Sequence, residues 1–132
     1  MKETELITES NTKLIFHVIT DINTLKNDND DVLVEIAIEN KYFKYSRKED
    51  FFNKRELLDL SNRIKNNYYY RYTEEQIVFV NPNFKLLLWG KEEEQYLEIQ
   101  LVIDATTDYY NLSLSPKETR EFVKLLDLQT KR

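Results

Sequence analysis

Cysteine is absent from this 132-residue chain, so disulfides and thiolate metal sites are excluded. Histidine occurs once, at His17, which excludes a multi-histidine metal site. Flanked by Ile15 and Ile19 and far from any serine or cysteine motif, His17 reads as a packed or half-buried side chain rather than a catalytic base. The single glycine, Gly90, leaves no Gly-rich loop to cradle a phosphate. With only two prolines as well, most turns fall to Asn and Asp, which tolerate left-handed backbone. Long apolar runs are missing too: the first, Leu14 to Ile19, is far too short to span a bilayer. Met1 to Ser10 carries acids where a secretion signal needs a basic and then an apolar region, so the expectation is a soluble, cytoplasmic protein. Basic residues are outnumbered, 19 against 24 acids, for a net charge of −5. That balance argues against nucleic acid as a partner and mildly favours a basic protein.

What the chain does contain is material for a core. Hydrophobic residues make up 41% and aromatics 13%, enough to fold as a single domain over residues 1–132 despite 33% charge. Residues 1–12 are polar and expected to fray. Lys13–Ile22 reads as a strand, Asn23–Asp31 as a loop, and Val32–Glu39 as a second strand with strict alternation. Asn40-Lys41 occupies the place of a two-residue hairpin turn before a returning strand, Tyr42–Arg47. Asn53-Lys54-Arg55-Glu56 then resembles a capping box, and Leu57, Leu60 and Ile64 stripe a helix ending near Asn66-Asn67.

Tyr68–Tyr72 forms an aromatic connector, followed by strands at Gln76–Val80 and Phe84–Trp89, with Gly90–Glu94 turning into the next. Leu97, Ile99, Leu101 and Ile103 alternate with Tyr96, Glu98, Gln100 and Asp104, and Ala105–Asp108 makes a short reversal. Tyr110, Leu112 and Leu114 alternate in turn before Ser115-Pro116-Lys117-Glu118, a capping box with proline at the first helical position. Phe122, Val123, Leu125 and Leu126 supply that helix's stripe. Strand, hairpin, strand and capped helix thus occur in Val32–Asn66 and again in Gln95–Leu128. The predicted fold is α+β: a single antiparallel sheet of six to seven strands with two helices on one face.

No constellation of reactive residues stands out. Asp28, Asp30 and Asp31 lack the glycine and the closing glutamate of a calcium loop and read as a solvated turn. Tyr68–Tyr72 with Arg71 has the composition of a base-stacking platform, but Glu74 and Glu75 follow it, which favours packing instead. Carboxylate pairs such as Glu35 and Glu39, or Glu98 and Asp104, are ordinary in a chain this charged. No catalytic residue, cofactor or metal ligand is therefore expected. The better signal is the strand face turned away from the helices. Alternation places Glu35, Trp89, Tyr96, Glu98 and Tyr109 there, aromatics interleaved with carboxylates, which is the composition of a protein interface.

The order of elements resembles the WapI-type immunity proteins. The resemblance runs through Val-Leu-Val-Glu-Ile-Ala-Ile, Tyr-Phe-Lys-Tyr-Ser and the Phe51–Ile64 stretch in the first half. In the second it runs through Phe-Lys-Leu-Leu-Leu-Trp, Tyr-Leu-Glu-Ile-Gln-Leu-Val-Ile and Leu-Ser-Leu-Ser-Pro-Lys-Glu-Thr-Arg-Glu-Phe-Val-Lys-Leu-Leu, so it covers about residues 14–128. The chain departs from that pattern in having Glu-Asn-Lys in place of a Gly-rich turn after the second strand. The resemblance implies a cytoplasmic, non-enzymatic antidote that binds and occludes a cognate, basic, nuclease-like toxin. It transfers no functional residues. The alternative is a subunit that uses a sheet face or edge to build an oligomer or larger assembly; an enzyme working through paired carboxylates ranks behind both.

Overall fold

The computed structural model describes residues 3–70, 74–91, 94–103 and 108–131. Four strands, β1 (Glu5–Ile7), β2 (Lys13–Val18), β3 (Asp31–Glu39) and β4 (Lys44–Asn53), lead into helix α1 (Lys54–Tyr70). Four more, β5 (Glu75–Val78), β6 (Phe84–Lys91), β7 (Glu94–Val102) and β8 (Tyr109–Leu114), lead into α2 (Pro116–Thr130). The fold is α+β, but the single sheet of six to seven strands is corrected. Two separate antiparallel sheets of four strands form, in the orders β1-β2-β3-β4 and β5-β6-β7-β8. Neither helix is confined to one sheet. The helices touch each other, and α1 packs on β3, β4 and β6 while α2 packs on β7, β8 and β1.

Alternation decides which side of each strand is buried. Val32, Val34, Ile36 and Ile38 on β3 are fully buried, as are Leu97, Ile99 and Leu101 on β7. Leu57, Leu60 and Ile64 of α1 and Phe122, Leu125 and Leu126 of α2 complete one continuous apolar cluster shared by both sheets. Its centre is aromatic: Phe16 meets Phe122 edge-on at 5.7 Å, and Phe52 meets Phe84 at 5.1 Å.

Several local expectations need revision. Residues 5–7, within the stretch expected to fray, form β1, because Leu6 has a place in the core and is 1% exposed. The hairpin after β1 turns at Asn11, whose φ of 61° is the left-handed conformation that asparagine tolerates. The β3–β4 turn spans four residues: Asn40 N–H donates to the Phe43 carbonyl, and Tyr42 N–H donates to Asn40 Oδ1. Strand β4 then runs to the residue before α1, with a bulge opposite Val32–Val34 that buries both Phe51 and Phe52. Tyr68–Tyr70 continue α1 instead of connecting, while Arg71-Tyr72 and most of the Ala105–Asp108 reversal lie outside the described residues.

Both helix starts follow the sequence closely. Asn53 Oδ1 accepts from Glu56 N–H at 2.8 Å, and Glu56 Oε1 accepts from Asn53 N–H at 3.0 Å. Ser115 and Glu118 repeat the exchange at 3.2 and 2.9 Å, with Pro116 at the first helical position. The Asp28–Asp31 loop folds beneath α1, where the Asp30 and Asp28 carbonyls accept from Lys54 and Arg55 N–H. It thereby occupies donors that a helix start otherwise leaves unpaired.

Candidate protein-binding face

The second sheet turns its outer face away from the core, and register sets its composition. One row crosses β5 to β8 as Gln76, Leu87, Glu98 and Ser113, and the next as Val78, Lys85, Gln100 and Asn111. Trp89 faces Tyr96 at one end and Val102 faces Tyr109 at the other. The Trp89 and Tyr96 rings stack at 5.8 Å with only 7° between their planes. Gly90, at φ +104°, carries the chain from this pair toward the hairpin, and a Cβ there would run into the backbone of Glu94.

The aromatics remain accessible, Tyr96 at 39% and Tyr109 at 57%, as does Val78 at 57%. Glu98 is held in place: its Oε2 accepts from Gln100 Nε2 at 3.0 Å and its Oε1 from Ser113 Oγ at 3.4 Å. A carboxylate has acceptor positions beyond those two, so a fixed acceptor lies in the middle of a plane of aromatic, amide and aliphatic side chains. Charge is sparse on this face, where Lys85 and Glu98 are the charged members of the two central rows. Interface centres share that composition, with Trp and Tyr enriched and charge depleted.

Glu35 does not belong to this face, which corrects the sequence-based grouping. It lies on the outer face of the first sheet, between His17 and Lys48 across the ladder. The neighbouring row reads Glu5, Ile15, Ala37 and Ser46, the row beyond it reads Ile7, Lys13, Glu39 and Lys44, and His17 is exposed rather than packed. Charges of opposite sign face each other in the Glu35 and Glu39 rows, as on a solvated sheet surface, with the nearly uncharged Ile15–Ala37 row between them. Trp89, Tyr96, Glu98 and Tyr109 are therefore brought together, and Glu35 is not. Sequence reasoning overlooked Val78, Gln76 and Asn111; the signal was the period-2 offset of each from a buried neighbour such as Ile77 or Leu112.

Elsewhere, the polar groups around a cavity are largely committed to the fold. A cavity of about 440 Å³ is lined in part by His17, Thr20, Asp21 and Gln129. Thr20 Oγ1 accepts from Leu33 N–H, and Asp21 Oδ1 from Asn23 N–H. Gln129 Oε1 accepts from Val18 N–H at 2.7 Å, and its Nε2 donates to the carbonyls of Phe16 and Glu3. Among the described residues no group of His, Asp and Glu is arranged to hold a metal, and no helix is long and apolar enough to cross a membrane. No family model, curated protein or solved structure matches this chain.

Proposed function

We propose that this protein is a non-enzymatic binding protein of the immunity type, which docks the outer face of its second sheet on a basic toxin domain and occludes it. The observation that carries this reading is a contrast between two sheets of the same layout. The first presents opposed Lys and Glu in the rows either side of Ile15 and Ala37, whereas the second presents Trp89, Tyr96 and Tyr109 among amide and aliphatic side chains with one Lys and one Glu in its central rows. Aromatic rings already fixed by a stack and a rigid ladder lose little side-chain entropy on binding. The net charge of −5 steers a basic partner toward the molecule, while the aromatics hold it once docked.

The test is co-expression with a toxin domain encoded beside this protein, followed by binding kinetics at two salt concentrations. Trp89→Ala should weaken binding by about 2 kcal/mol or more, mainly by faster dissociation. Glu98→Lys should mainly slow association, and less so at high salt. Parent-like binding and protection by both variants would place the interface elsewhere, and a parent that never binds the toxin would remove the immunity reading. An assembly subunit is the second reading, favoured by Val78 at 57% exposure on the short edge strand β5 and Val80 at 85% in the loop just beyond it. It requires a stable oligomer of the isolated chain by light scattering.

A further inference from the structure

The capping glutamates do more than close their own helices. Glu56, the third residue of α1, gives Oε1 to its own cap at Asn53, and its Oε2 accepts from Val80 N–H at 3.0 Å. Val80 lies in the loop joining β5 to β6, in the other half of the chain. Glu118, the third residue of α2, gives Oε1 to Ser115 and accepts from Glu9 N–H through Oε2 at 2.7 Å. Glu9 lies in the loop joining β1 to β2. The two bonds are the same bond made twice, each helix fastening the first hairpin of the opposite half.

Other crossings share this reciprocity. Tyr45 on β4 donates its hydroxyl to the carbonyl of Val102 at the end of β7, at 3.0 Å. Tyr110 on β8 has its hydroxyl 3.5 Å from Asn40 Nδ2, just past the end of β3. Between them Phe43 stacks on both tyrosines, at 6.4 and 4.8 Å. The second strands of the halves, β2 and β6, meet through Phe16 and Phe84 at 6.3 Å. α1 packs on β6 and α2 on β1, so each helix covers part of the other half's sheet.

We infer that the chain is a fused dimer of two four-strand-plus-helix units, in which the third helical residue of each unit is a two-ended latch for the other. One carboxylate oxygen closes the helix and the second holds the partner hairpin, which ties the opening of either half to the other. A glutamine at this position keeps only one acceptor oxygen, so it cannot serve both ends.

Amide hydrogen exchange of the full chain tests the crossed connection. Glu118→Gln should speed exchange at Glu9 by about tenfold and leave Val80 unchanged, because a hydrogen bond to a charged group is lost only there. Glu56→Gln should do the reverse. Ser115→Ala and Asn53→Ala are the controls: each should loosen its own helix start and leave both hairpins as they were. Glu118→Ala and Glu56→Ala repeat the comparison in case a glutamine keeps the hairpin bond and releases the cap instead. The inference is overturned if the alanine variants loosen only their own helix ends. It is equally overturned if exchange rises at all amides together by no more than the loss of global stability.

Discussion

Gly90 is where one methyl group should do the most damage for its size. The residue holds φ at +104°, a region that side-chain-bearing L residues rarely adopt, and an added Cβ would collide with the Glu94 carbonyl and lie 3.3 Å from Gln95 Cα. The backbone strain alone costs about 1–3 kcal/mol. Relieving the collision requires β6 and β7 to part where Gly90 pairs with Gln95 and Lys91 with Glu94. Losing a ladder hydrogen bond there adds about 1 kcal/mol. Gly90→Ala should therefore destabilise the fold by about 3 kcal/mol, read as a lower urea midpoint at unchanged slope. Trp89, the only tryptophan, stacks on Tyr96 beside this site, so its fluorescence should report the disturbance in the native state. Gly90→Asn separates the two causes. Asparagine tolerates positive φ but carries the same Cβ, so it should remain costly. A midpoint for Gly90→Ala within about 0.5 kcal/mol of the parent, the range of an ordinary surface change, would refute the reasoning outright. A near-neutral Gly90→Asn would refute the collision and leave only the dihedral strain.

Ser115→Ala removes the hydroxyl that accepts from Glu118 N–H and should cost about 1 kcal/mol in the same urea assay. Gln129→Leu strands the Val18 N–H and the buried Phe16 carbonyl and should cost about 3 kcal/mol, with an unchanged melting temperature counting against that clasp. Asp127 links the two helices. Burial alone would raise its pKa, but hydrogen bonds from Ser61, Lys65 and Lys131 outweigh that and hold it below the usual carboxylate value. Its contribution is thus fully present above the unfolded pKa of about 3.9 and lost as pH falls through the lower folded value. Asp127→Asn should cost about 1 kcal/mol at neutral pH, and the gap to the parent should close in acid; a gap independent of pH would exclude the charged link.

Local pattern carried much of this structure. Alternation in Val32–Glu39 and Gln95–Val102 marks the buried side of each strand, because a strand's side chains alternate whatever lies beside it. Asn53, Glu56, Ser115 and Glu118 mark both helix starts, since a capping box is closed within four consecutive residues. Partnership between distant segments is a different matter. Alternation assigns a residue to a face but says nothing about which sheet that face belongs to. Pattern therefore groups Glu35 with Glu98, and topology separates them, one in each four-stranded sheet. Leu6 lies in the polar stretch 1–12 and is buried because β2 pairs with it and α2 packs on its strand. The second oxygens of Glu56 and Glu118 belong with these. Their cap bonds are legible in sequence, but their reach to Val80 and Glu9 exists only because the two halves close on each other.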